Sequence, residues 1–232
     1  MLRRVGEPDQ SASPPATDAA VVLKISEIFR SLQGEGLSSG LPTVFVRLTG
    51  CPLRCHYCDT AYAFHGGDRL ALPRILDTVA EFGTEYVTVT GGEPLAQPHC
   101  HLLLSRLCDR GHRVSLETSG ERDISGVDPR VVKVMDLKTP GSGESHRNRL
   151  ANLDYLAAGD QVKFVICDRT DYEWARRMVQ SHDIAQRCAV LFSPAWQQLS
   201  AGDLADWVLN DYLPVRVQVQ LHKVFWGDLP GR

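Results

Sequence analysis

The sequence predicts an α/β protein folded as an open, partial barrel of parallel strands, and three observations carry that prediction. Short runs rich in Val, Ile, Leu and Phe alternate with segments whose apolar residues recur every three or four positions. Such alternation pairs strands in parallel through right-handed crossovers. The strand–helix units number about six, too few to close an eight-fold barrel. Finally, the chain has 232 residues, 43% hydrophobic and 23% charged, which suits one large soluble domain. A doubly wound sheet fits the same pattern less well. In either architecture, function collects at the C-terminal ends of the strands.

The elements follow in order. Residues 1–20 are rich in Ser, Pro, Ala and Asp without periodicity, and are expected to form a structureless extension before one domain over 21–232. Strands are expected at 21–29, 43–48, 86–90, 113–117, 131–136, 161–166, 189–192 and 215–219, each bounded by Gly, Pro or charge. Helices are expected at 72–82, 99–110, 147–157, 171–182 and 197–210. In the first of these, Leu72, Ile75, Leu76, Val79 and Phe82 share a face, Pro73 lies in the first turn and Gly83 just past the end.

A net charge of −3 argues against a nucleic-acid binder. The N-terminus lacks the apolar core of a secretion signal and the longest apolar runs are strand-sized, so neither export nor a membrane span is expected. The expected setting is the reducing cytoplasm, where clustered cysteines read as metal ligands or reactive thiols. Of seven cysteines, Cys100, Cys108, Cys167 and Cys188 are scattered among apolar residues and are expected to be inert core thiols.

The other three form a C-x3-C-x2-C triplet, Cys51, Cys55 and Cys58, in a loop leaving a strand. Zinc sites usually complete four protein ligands, and no second Cys or His pair exists here. His56 could serve as a fourth ligand, although its place inside the triplet makes tetrahedral ligation awkward. A cubane iron–sulfur cluster is the better reading, since three thiolates leave one iron open. At the next strand end stands T-G-G-E-P, in which glycines admit a close ligand and Glu93 offers an acceptor for an ammonium group. Taken alone it is also an ordinary turn. Near the N-terminus, S-L-Q-G-E-G (31–36) suits a backbone turn against a flat polar heterocycle. Arg47 lies within the apolar strand before the cysteines, where it needs an anion: a ligand carboxylate, or a structural partner such as Glu35 or Glu117. Glu117 and His222 are candidates for proton transfer.

The triplet followed by T-G-G-E-P resembles the radical S-adenosylmethionine superfamily. In order, S-L-Q-G-E-G, the Arg47 strand, C-x3-C-x2-C-D-T, T-G-G-E-P, E-T-S-G (117–120), M-D-L-K-T-P-G-S-G (135–143) and Q-L-H-K (220–223) resemble the 7-carboxy-7-deazaguanine synthase family, from about Ile25 to the end. That resemblance implies conversion of 6-carboxy-5,6,7,8-tetrahydropterin to 7-carboxy-7-deazaguanine with loss of ammonia, toward queuosine. It implies a 4Fe–4S cluster, S-adenosylmethionine, Mg2+, an external electron donor and a homodimer. By position, Cys51, Cys55 and Cys58 would hold the cluster. Tyr57, Asp59, Gly92, Glu93, Asp136, Leu137, Lys138, Ser193, Pro194, Ala195 and Trp196 would hold S-adenosylmethionine. Leu32, Gln33, Gly34, Arg47 and Thr90 would hold the pterin, and Thr60 the Mg2+, although by itself Thr60 reads as a cap hydroxyl. Some members carry Ser-Pro-Lys where this chain has Asp136-Leu137-Lys138, and other residues at 193–196. The C-terminal tail is expected to close near the active site or a dimer interface. The rival readings are a glycyl-radical activase, and a zinc-binding module without catalysis.

Overall fold

The computed structural model describes residues 18–227, 229 and 231. Among these, nine strands form one sheet: β1 (Val22–Leu32), β2 (Pro42–Leu48), β3 (Asp68–Ala71), β4 (Tyr86–Gly91), β5 (Arg113–Thr118), β6 (Val132–Asp136), β7 (Gln161–Ile166), β8 (Ala189–Pro194) and β9 (Arg216–Val217). Their spatial order is β3-β1-β2-β4-β5-β6-β7-β8-β9. From β2 to β9 every neighbour is parallel, so β2 and β4 to β8 are expected parallel strands, and the strand expected at 215–219 is present but cut to the two residues of β9.

The segment expected at 21–29 behaves differently. It runs on to Leu32 and pairs antiparallel with β2, because residues 33–41 are too few for a crossover and close a hairpin instead. β3, which carries no strong strand signal, caps this edge against Val22–Ile25.

Alternation along each strand divides the sheet into two chemical faces. Val44, Val46 and Leu48 of β2, Val87 and Val89 of β4, Val114 and Leu116 of β5, and Val162, Phe164 and Ile166 of β7 join the apolar core. Helices α1 (Leu72–Glu81), α2 (Cys100–Asp109), α3 (Arg169–Ser181) and α5 (Ala201–Asn210) contribute Ile75, Leu103, Leu104, Val179 and Leu204 to that core. The short α4 (Ile184–Arg187) and α6 (Leu221–Trp226) complete the set. On the opposite face Phe45, Arg47, Thr90, Glu117, Asp136, Lys163 and Val165 all line one cavity of 390 Å³. Residues of consecutive strands can share one cavity only if the sheet curls around it, which is the partial barrel the sequence predicts.

The helix expected at 147–157 is absent. Two turns of 3-10 helix, Ser145–Arg147 and Leu150–Tyr155, stand there instead. The chain is tied sideways: Arg149 N–H donates to Gly120 O (3.1 Å) and the buried Asn152 amide donates to Gly120 O and Arg122 O. The helix expected from 197 begins at Ala201, behind Ser200, whose hydroxyl caps Asp203 N–H, while Gln197 takes a left-handed φ of 60°.

Of the expected extension, residues 1–17 lie outside the described residues. Asp18–Ala20 form a 3-10 turn, and the Asp18 carboxylate accepts from Arg106 Nε (2.8 Å) and Nη2 (3.1 Å). No helix among the described residues is long and apolar enough to cross a membrane. All seven cysteines are free; Cys100 and Cys188 are buried, whereas Cys108 and Cys167 are only half-buried. Burial pushes the Cys167 thiol up to about 12 and Cys188 to about 11, so both stay protonated and unreactive.

Candidate active site

The cysteine loop leaves β2 and is pinned at several backbone points. Gly50 N–H donates to Ala63 O (2.8 Å), Gly50 O accepts from Glu93 N–H (2.8 Å), and His56 N–H donates to Ser142 O (3.0 Å). Arg54 N–H donates to Glu144 Oε1 (2.6 Å), and its guanidinium donates back to Cys51 O and Leu53 O. The loop's backing segment, 139–144, is itself held by the buried Asp171. That carboxylate accepts from Thr139 Oγ1 (2.9 Å), Gly141 N–H (2.8 Å) and Cys167 N–H (3.1 Å). Asp171→Ala leaves the Gly141 and Cys167 N–H groups without their partner, while the Thr139 hydroxyl keeps Val165 O (2.9 Å), and a loss of about 3 kcal/mol is expected in urea unfolding. A loss below about 1 kcal/mol would remove Asp171 from this role.

Cys51, Cys55 and Cys58 all line the cavity. Burial raises each thiol, Cys55 to about 11, and the Lys138 ammonium pulls all three back. Three thiols on one wall beside a cation form a donor set that fits an iron–sulfur cluster, because bound iron replaces the protons that burial retains. His56 does not join them; its ring packs where a side chain on Gly143 would stand. Among the described residues no three His, Cys, Asp or Glu side chains enclose a site for a single ion.

Beside the thiols lies the polar end of the cavity, lined by Tyr57, Asp59, Thr60, Gly92, Asp136, Lys138, Ala195 and Trp196. The Tyr57 hydroxyl is buried without a partner. Lys138 Nζ donates to Asp136 Oδ2 (2.6 Å). Burial pushes the Asp136 carboxyl up, but Lys138 and Lys163 outweigh it and hold it below its ordinary value. At Asp59 burial is again the largest influence and again loses, here to the Thr60 hydroxyl (2.8 Å) and Lys223 (3.7 Å). Leu137, Ser193, Pro194 and Glu93 do not line the cavity. Leu137 belongs to the core. Glu93 is fully buried, and its carboxylate accepts from Leu95 N–H (2.9 Å), Thr118 Oγ1 (2.9 Å), and Ser119 N–H and Oγ (2.6 Å each). Those donors occupy the acceptor that an ammonium group was expected to use, so Glu93 shapes the β4 and β5 ends instead.

Leu32, Gln33, Gly34, Arg47 and Thr90 also line the cavity, joined by Phe29 and Phe45, whose rings stack at 5.1 Å. Arg47 pairs with Glu27 through Nε (2.7 Å), not with Glu35 or Glu117, and lies 5.8 Å over the Phe29 and Tyr62 rings. Glu117 accepts from Thr90 Oγ1 (2.9 Å) and from Gln33 Nε2 (3.2 Å). Burial raises its carboxyl above the usual range, and Lys163 only partly opposes the shift. Gly34 lies against His222, whose Nδ1 would stand 2.1 Å from an added Cβ. Burial lowers that imidazole, keeping it neutral. The tail closes on the site as expected, with Gly227, Leu229 and Gly231 in the cavity wall.

Sequence reasoning missed Lys163, Glu35 and Gln220 as cavity residues. Lys163 bridges Glu35 and Asp136 (3.4 Å), and Gln220 Nε2 donates to Glu35 Oε1 (2.8 Å). The signal for Lys163 was the same as for Arg47: a cation inside an apolar strand.

Comparisons with known proteins agree with this geometry. The Radical SAM superfamily model matches residues 45–136. The chain is 43% identical over 219 residues to the 7-carboxy-7-deazaguanine synthase of Koribacter versatilis (strain Ellin345), covering 88% of this chain and 97% of that one. It is 45% identical over 209 residues to the same-named protein of Chlorobaculum tepidum, covering 88% and 94%. The crystal structure of QueE from Escherichia coli superposes with a TM-score of 0.73 at 20% identity, over 88% of this chain and 96% of that one, and so shares the fold. The cysteine wall, the glycines that close on it and this extent of identity together establish that the chain belongs to the 7-carboxy-7-deazaguanine synthase family of the radical S-adenosylmethionine superfamily.

Proposed function

We propose that this protein converts 6-carboxy-5,6,7,8-tetrahydropterin to 7-carboxy-7-deazaguanine with release of ammonia, a step toward queuosine. The observation that carries the reading is one 390 Å³ cavity lined both by three thiols and by an arginine that lies 5.8 Å over two aromatic rings. That volume suits small-molecule ligands and excludes large ones. The superfamily uses a 4Fe–4S cluster and S-adenosylmethionine, which when bound supply a carbon radical that abstracts hydrogen.

The chain's own contribution is positioning. Cys51, Cys55 and Cys58 hold the cluster. Tyr57, Asp59, Gly92, Lys138 and the 195–196 loop line the place for S-adenosylmethionine. Arg47, held by Glu27, binds the pterin carboxylate, and Phe29 and Phe45 form an apolar wall beside it. Glu117, whose carboxyl burial raises above the usual range, is the candidate to give a proton as ammonia leaves. Thr60 is the candidate Mg2+ ligand, which suits a hard cation that keeps most of its waters. The same resemblance carries a homodimer and an external one-electron donor, and the seven free thiols suit the reducing cytoplasm. An activase acting on a protein has no use for Arg47 and Glu117 inside the thiol cavity, and a zinc module has no use for the cavity at all.

The test is anaerobic reconstitution followed by reduction with both small molecules present. Deazaguanine product is expected; 5′-deoxyadenosine without it would remove the assigned substrate. Arg47→Ala is expected to raise KM for the pterin about 30-fold, corresponding to about 2 kcal/mol for one charge-assisted contact, with iron content unchanged. An unchanged KM would take Arg47 out of the site.

A further inference from the structure

A row of alternating charges crosses the cavity from the thiols to the S-L-Q-G-E-G turn. Lys138 donates to Asp136 Oδ2 at 2.6 Å; Asp136 Oδ1 lies 3.4 Å from Lys163 Nζ; Lys163 in turn contacts Glu35 Oε2. Lys138, Asp136, Lys163 and Glu35 all line the cavity, and the Lys163 and Glu35 side chains are only 11% and 12% exposed. Backbone register sets the middle of this row. Asp136 and Lys163 are direct partners in the parallel β6–β7 ladder, and Leu137 N–H donates to Lys163 O (2.9 Å). The ladder fixes the two backbones opposite one another but leaves the Lys163 side chain free to turn, so its ammonium needs a further anchor to stay on Asp136. Glu35 has no such backbone tie to β7; its side chain, held from the other side by Gln220, joins the turn to Lys163, while Leu37 N–H donates to Gln161 Oε1 (2.9 Å) at the start of the strand.

Enclosed ion pairs of this kind add little stability over apolar packing of the same volume, so their presence is better explained by what they fix in place. Here the two anions, joined by one ammonium, belong to the residue sets assigned to different ligands. Asp136 stands in the set assigned to S-adenosylmethionine, and Glu35 in the turn assigned to the substrate. We propose that Lys163 is a positioning residue that couples these two sets, its ammonium holding Asp136 in the cofactor-binding geometry only while Glu35 holds the ammonium. The proposal rests on the functional reading only for which set takes which ligand. Burial alone lowers the Lys163 ammonium, but Asp136, Glu35 and Glu117 outweigh it and keep it charged.

The experiment is a double-mutant cycle on S-adenosylmethionine affinity, measured by equilibrium dialysis on the reconstituted enzyme without pterin. The proteins are the parent, Glu35→Gln, Lys163→Met and the double variant. Glu35→Gln is expected to weaken S-adenosylmethionine binding about 3-fold or more in the parent, although Glu35 lies in the substrate turn. In the Lys163→Met background the same change is expected to have no effect, because the link is already broken. Equal effects in both backgrounds would overturn the proposal. An unchanged affinity for Glu35→Gln alone would also overturn it, whether or not Lys163→Met folds. A wrong substrate assignment would appear in the product assay and leave this cycle intact.

Discussion

Gly92→Ala is expected to strip the protein of its iron. A Cβ at this position would stand 2.4 Å from Gly50 O and 2.5 Å from Cys51 Cβ, distances that no side-chain rotation relieves. Gly50 cannot retreat freely, since its N–H donates to Ala63 O and its carbonyl accepts from Glu93 N–H, both at 2.8 Å. The strain therefore falls on Cys51, the first of the three thiols. Overpacking of this kind costs about 1–3 kcal/mol, small enough for the barrel to fold. The geometry of three thiols around one cluster is far less tolerant. After anaerobic reconstitution the parent should carry about four irons per chain, as one cubane requires, and Gly92→Ala about one or none. Melting of the iron-free proteins should differ by only about 2–12 °C, at roughly 2–4 °C per kcal/mol for a chain of this length. Full iron in the variant would show that the loop yields and that Gly92 serves only S-adenosylmethionine.

The same residue shows what the sequence makes legible. The triplet, the paired glycines and the arginine before them are local patterns, and strand alternation alone brings all three to one cavity. What depends on register between distant segments is not legible in this way. Arg47 needs an anion, and the sequence leaves Glu35 and Glu117 as candidates. The partner is Glu27, directly opposite in the β1–β2 ladder, because the segment expected as a parallel strand is half of an antiparallel hairpin. Glu93 looks open to a ligand until β5 brings Thr118 and Ser119 onto its carboxylate. Lys163 acquires its role only from being opposite Asp136. The stretch 147–157 has a helical pattern, yet the Asn152 side chain ties it to Gly120 and Arg122. In each case the residue type was readable and its partner was not.

Glu117→Gln is expected to make the enzyme much slower and, as pH rises, more stable. The carboxyl lies at the β5 end of the cavity, and its burial, aided by the nearby Glu35, outweighs Lys163, the Thr90 hydroxyl and Arg47 to raise it above its ordinary range. A folded-state value above the unfolded one means that its contribution to stability is full below the unfolded value and is lost as pH rises through the folded value. Each pH unit between the two costs the parent about 1.4 kcal/mol. Gln cannot ionise, so the variant lacks this loss, and its urea midpoint should exceed the parent's by a margin that opens as pH rises from the unfolded value through the folded one. The fold has no reason to change: the new amide can accept from Gln33 Nε2 and donate to the Thr90 hydroxyl, which the carboxylate now engages at 3.2 and 2.9 Å. Catalysis does have a reason. If Glu117 gives up a proton as ammonia leaves, its loss should lower kcat about 10²–10⁴-fold with iron content unchanged. A flattened stability profile with parental kcat would instead make Glu117 a buried structural acid with no part in the proton transfer.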